Sequence, residues 1–116
     1  GVACGVGCYW GATGLKHMFG YDDALDCFGV HGVGGMTGIL CAGVFATASI
    51  GGTPGLIEGN PQLLLIQLYG VAVTLVWSGG VTYVLLKLVS AFVPLRVSLQ
   101  QELEGLDISQ HGEALQ

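Results

Sequence analysis

From Leu63 to Val93 the chain runs for about 31 residues with a single charge, Lys87. Hydrocarbon leaves every unpaired backbone N–H and C=O unsatisfied, so an apolar run of this length is predicted to be a membrane-spanning helix whose hydrogen bonds close within itself. At 1.5 Å per residue it exceeds the roughly 30 Å hydrocarbon core, and so it must tilt or project from the bilayer. Lys87, near its end, can carry its ammonium to the interface along an apolar stem.

Two more apolar runs precede it. Cys27 to Ile50 is about 24 residues long and is interrupted only by His31, enough to cross. Gly51-Gly52-Thr53-Pro54-Gly55 stops it, and Glu58-Gly59-Asn60-Pro61 leads into the next start. Val2 to Leu15 is short for a crossing and is read as part of a span that begins upstream of Gly1. No basic segment precedes it in the manner of a signal peptide. The reading is an all-α integral membrane protein: a membrane region over 1–93, with a partial span at 1–15 and spans at 24–50 and 62–93, then a tail over 94–116.

Composition agrees, with 52% hydrophobic residues, 9% charged residues and a mean hydropathy of +0.69. Soluble domains carry roughly a quarter of their residues as charges. A net charge of -5 with only three basic residues excludes nucleic-acid binding, which needs Lys and Arg to displace phosphate counterions. Alternating the spans puts Lys16, Lys87 and Arg96 on one side, and the loop from Gly51 to Gln62 holds no basic residue. The positive-inside rule then makes the tail cytoplasmic, in a plasma (inner) membrane protein.

Cys4, Cys8, Cys27 and Cys41 all lie in apolar runs without a paired zinc-type spacing, and read as small buried hydrophobes. A metal held by Cys4, Cys8 and His17 is the less economical alternative. The chain is read as a non-enzyme with no cofactor and no metal. At the start of the second span, Asp23 is predicted at the N-cap and Asp26 at the third helical position, where carboxylates satisfy free amides and favour the positive end of the helix dipole.

Within that span Gly29, Gly32, Gly35 and Gly38 recur every third residue, and Gly34 and Gly38 add a GxxxG spacing. Helices in lipid lack a hydrophobic drive to associate, so small residues that admit close backbones mark a packed face. His31 is the informative residue, because ionisable groups are expensive in a span and usually face a bundle interior or a pathway. Helical spacing puts it on one strip with Cys27, Gly34, Gly35 and Gly38. A neutral imidazole keeps one donor and one acceptor, so it can bond a small polar solute or relay a proton. A structural histidine bonded to a neighbouring carbonyl fits the same residues equally well.

The stretch Asp22-Asp23-Ala24-Leu25-Asp26-Cys27-Phe28-Gly29-Val30-His31-Gly32-Val33-Gly34-Gly35 resembles the signature that opens the tenth span of the ammonium transporter (Amt/Mep/Rh) family. The resemblance continues through Gly43-Val44-Phe45-Ala46, Leu65-Ile66-Gln67-Leu68, Val76-Trp77-Ser78-Gly79 and Leu95-Arg96-Val97, to the tail from Glu102 to Glu113. It implies a fragment of the eleven-span ammonium transporter fold, spans nine to eleven plus the tail, assembled as a homotrimer with the missing N-terminal spans of the same subunit. By the same resemblance, His31 is the second of two hydrogen-bonded pore histidines and Cys27 a pore-wall position that is usually apolar. Family members take up ammonium, remove a proton and pass ammonia and the proton inward.

Beyond Pro94 the chain turns polar, with Leu99, Leu103 and Leu106 in a short amphipathic pattern that ends near Gly105. A solvated end accounts for this, whereas the resemblance implies a regulatory tail held by Leu103, Gly105, Leu106 and Asp107, over which a PII-type regulatory protein can dock. His111 reads as a surface histidine. Besides ammonium transport, an ammonium sensor and a non-conducting helix bundle are the alternatives.

Overall fold

The computed structural model of the chain describes residues 1–113, so the last residues of the expected tail, 114–116, lie outside the described residues. The protein is all-α, with no strand among the described residues. It divides into two compact units, Gly1–Leu75 and Val76–Gln116, and the boundary falls within one long helix.

The first unit is built on a helical hairpin. Helix α1 (Val2–Trp10) runs on through a π-helical segment π1 (Gly11–Leu15) into α2 (Lys16–Phe19), with right-handed helical backbone at each junction. It stops at Gly20, whose φ of +60° is left-handed and whose N–H closes on the Lys16 carbonyl at 2.8 Å. The helix thus carries on past the apolar run and takes in half of the expected polar connector. The chain returns through π2 (Phe28–Val33), continuous with α3 (Gly34–Phe45).

The two arms lie antiparallel and touch through glycine. A Cβ on Gly7 would meet the Thr37 hydroxyl at 2.9 Å, one on Gly34 the Cys8 Sγ at 2.5 Å, and one on Gly29 the Ala12 backbone nitrogen at 2.5 Å. The last is backbone on backbone, where no rotamer change can make room. Among the described residues Gly11, Gly29, Gly43 and Gly55 are buried and no apolar side chain is. Contact made by small residues is the packing expected between helices in lipid.

The second apolar run does not form one helix to Ile50. Helix α3 ends at Phe45, Ala46 leaves helical geometry at ψ 139°, Thr47 is extended, and a short α4 (Ala48–Gly51) follows. The cause is tertiary: Gly55 packs on Ala46, donating its N–H to the Ala46 carbonyl at 2.7 Å, so close that a Cβ there would meet Ala46 N at 2.8 Å. The Glu58 carboxylate accepts the Ala48 N–H at 2.8 Å, and the Asn60 amide donates to the Pro54 carbonyl at 3.0 Å, which fixes the loop. Pro61 then opens α5 (Pro61–Ser90), at a position where its missing N–H costs no bond. Gly43 of α3 takes Leu64 of α5 at its surface.

In the second unit the remainder of α5 is exposed throughout, with Trp77 72% accessible. The Lys87 ammonium sits over the Tyr83 ring, 5.6 Å from its centroid. After the turn at Pro94, Ser98 caps α6 (Leu99–Glu104) through a reciprocal capping box with Gln101. Gly105 ends that helix at φ +92°, and the short π3 segment (Asp107–His111) follows, tied back by the Ser109 hydroxyl donating to the Gln101 carbonyl at 3.2 Å.

Candidate functional site

Asp23 lies outside the helix that carries His31 and holds its first turn. One carboxylate oxygen accepts the Cys27 N–H at 2.9 Å and the other the Phe28 N–H at 2.8 Å, two amides that have no partner inside the helix. Asp26 departs from its expected place at the third helical position: it precedes the helix with a φ of +55°, the one non-glycine residue with positive φ among those described. That conformation costs an L-residue roughly 1 kcal/mol. It is held by Lys16, whose ammonium donates to Asp26 Oδ1 at 2.8 Å and to the Asp23 carbonyl at 2.6 Å. The hydrogen bond that this ammonium donates to Asp26 raises the Lys16 pKa above its usual 10.5, against a smaller desolvation that lowers it. Tyr21 closes the same corner, its hydroxyl donating to the Gly11 carbonyl at 3.2 Å and its ring edge-on to Phe28 at 5.7 Å.

His31 stands in the middle of π2. Its side chain is exposed and makes no hydrogen bond among the described residues, so no neighbouring carbonyl holds the ring. The strip expected around it is divided. Gly34 and Gly38 face Cys8 and Cys4 of α1, whereas Cys27 and Gly35 stay on the open side with His31, and nothing lies within 4 Å of where a Gly35 Cβ would be. The π turn is the reason: its i→i+5 bonding inserts a residue into the winding and moves the later glycines to the hairpin seam. Phe28 folds its ring over Gly32, whose Cβ would meet it at 2.8 Å.

Cys4 and Cys8 point their thiols at the Gly34 and Val30 carbonyls, at 3.9 and 3.4 Å. His17 turns to its own helix, with Nδ1 2.6 Å from the Thr13 carbonyl. The three do not converge, and no metal-binding group of His, Cys, Asp and Glu occurs among the described residues. In the second unit, Leu103 (80% accessible) sits in the last turn of α6, Leu106 and Asp107 are exposed where π3 begins, and Gly105 is partly buried between them. Arg96 and Glu102 form a two-point ion pair at 2.6 and 3.2 Å, which sequence reasoning missed, as it missed the Ser98/Gln101 box, although S-x-x-Q is a readable signal.

Two helices, Phe28–Phe45 and Pro61–Ser90, are long and apolar enough to cross a membrane. The Ammonium Transporter Family model matches residues 1–115. An ammonium transporter of Bacillus subtilis is 46% identical over 115 residues, covering 97% of this chain and 28% of its own length. One from Aquifex aeolicus is 50% identical over 113 residues, 97% of this chain and 26% of its own, and ammonium transporter Amt1 of Archaeoglobus fulgidus is 43% identical over 113 residues, 97% and 29%. The chain belongs to the ammonium transporter family, one of transporters rather than enzymes, and it spans a little over a quarter of the length of these relatives.

Proposed function

We propose that the chain is the C-terminal portion of an ammonium transporter subunit and that His31 lies on its conduction pathway, with Cys27 on the wall beside it. The observation that carries this reading is an unpartnered imidazole on the open side of a span-length helix, in a chain of this family. A bare cation entering a low-dielectric passage loses several kcal/mol of hydration even after relaxation. Ammonium therefore gives its proton to a histidine of the relay as it enters and moves on as ammonia. An imidazole offers nitrogens that can accept and donate a hydrogen bond, so the ring can bond ammonia, and a second histidine on the earlier spans completes a proton relay.

The rest of the assembly follows from the same reading. The earlier spans of an eleven-span subunit close the pore, three subunits associate, and the positive-inside rule applied to Lys16, Lys87 and Arg96 puts the tail on the cytoplasmic side of a plasma membrane. Leu103, Gly105, Leu106 and Asp107 seat that tail, and a PII-type protein docks over the same surface.

Replacing His31 by Ala in the full-length transporter and measuring methylammonium uptake per molecule in the membrane tests the central claim. Loss of a proton-relay group lowers the rate by about 10²-fold or more. Unchanged uptake would remove His31 from the pathway.

A further inference from the structure

The ion pair at the hairpin turn has a use beyond joining two elements. We infer that Lys16 and Asp26, together with the doubly accepting Asp23, are positioning residues that fix the rotational setting of His31; this rests on the pathway role proposed for that ring.

Three observations converge. Asp23 pins the amides of Cys27 and Phe28, so the helix can begin nowhere else without leaving two N–H groups unmatched. Asp26 has positive φ, which cannot propagate a right-handed helix backward, and its own carbonyl accepts the Val30 N–H at 2.9 Å, the bond that closes the first turn. Lys16 belongs to the other arm of the hairpin and bonds both Asp26 Oδ1 and the Asp23 carbonyl, so the start of the His31 helix is referenced to α2 rather than to its own loop.

His31 follows one turn later, inside the π segment, where a residue's direction depends on which carbonyl the widened turn adopts. A one-residue change in where the helix begins turns a side chain by about 100°. At that angle the ring faces the seam occupied by α1 instead of the open side. The glycines at the crossing hold the arms together but leave their winding unset. The carboxylates and the lysine set it.

The test uses the full-length transporter with methylammonium uptake scored per molecule in the membrane. Lys16→Met and Asp26→Asn are each expected to lower the maximal rate by about tenfold, with half-saturation changed by less than about twofold, because misplacing a reacting group costs rate rather than encounter. Lys16→Arg keeps the charge and the reach and should restore at least about half of the rate. Should Lys16→Met fail to accumulate, Lys16→Gln serves in its place.

Wild-type rates in the Lys16 and Asp26 variants, a rise in half-saturation alone, or no recovery with Lys16→Arg would overturn the positioning role. His31→Ala is measured beside them. If it abolishes uptake while the pair variants do not slow it, the pair's role falls alone. If it leaves uptake intact, the pathway reading falls and the positioning role falls with it.

Discussion

Asp26 shows how far a single residue can be read from its neighbours. A D-x-x-D pattern ahead of an apolar run points to a helix start, and Asp23 does satisfy the amides of Cys27 and Phe28. That Asp26 would turn left-handed and pair with Lys16, ten positions back, has no local signal, because the partner is delivered by the hairpin. The pair also carries a titration. A lysine whose folded pKa lies above 10.5 gives stability that is complete below that value and is lost as pH rises through the higher one. Following the Lys16 ammonium by nitrogen NMR should give a midpoint above 10.5, and a midpoint at or below it would mean the contact with Asp26 does not persist. At Gly29 the question is space. Gly29→Ala drives a methyl into the Ala12 backbone, whereas Gly35→Ala meets nothing within 4 Å in this chain. The first should destabilise the hairpin by about 1–3 kcal/mol in a detergent unfolding titration, the second by less than about 0.5.

Among the elements, the apolar lengths made the helices legible and left their winding hidden. Hydropathy cannot distinguish an α turn from a π turn, since it registers how apolar a run is and not which way each side chain faces, and so the strip drawn at 3.6-residue spacing joined His31 to Gly34 and Gly38. The structure gives those two glycines to α1 and leaves Gly35 and Cys27 beside the ring. The end of α3 was hidden for a different reason. Ala46 and Thr47 are not helix breakers by themselves, and the chain leaves the helix there because Gly55 comes back onto Ala46. In α6 the local code suffices: Ser98 and Gln101 open it and Gly105 closes it. Ser98→Ala should cost that short helix about 1 kcal/mol, seen as faster amide exchange across Leu99–Glu104 in the full-length protein; unchanged exchange would mean that contacts elsewhere hold it.

For the whole molecule, composition identified the class and the motif around His31 identified the family, and neither needed coordinates. What the structure adds is an inventory of contact. Four glycines are buried among the described residues, and the apolar side chains of both units are left at the surface. The two arms of the hairpin meet through pairs such as Gly7 of α1 with Thr37 of α3 and Gly11 of π1 with Gly29 of π2, near in sequence and opposite in direction. The order of synthesis gives that seam a timing. As soon as Gly38 emerges, the residues that face Cys4, Gly7 and Cys8 of α1 across the seam have all been made, so these two arms can pair before the long helix after Pro61 begins. The winding of this seam would then be chosen before the segment that follows Pro61 is added.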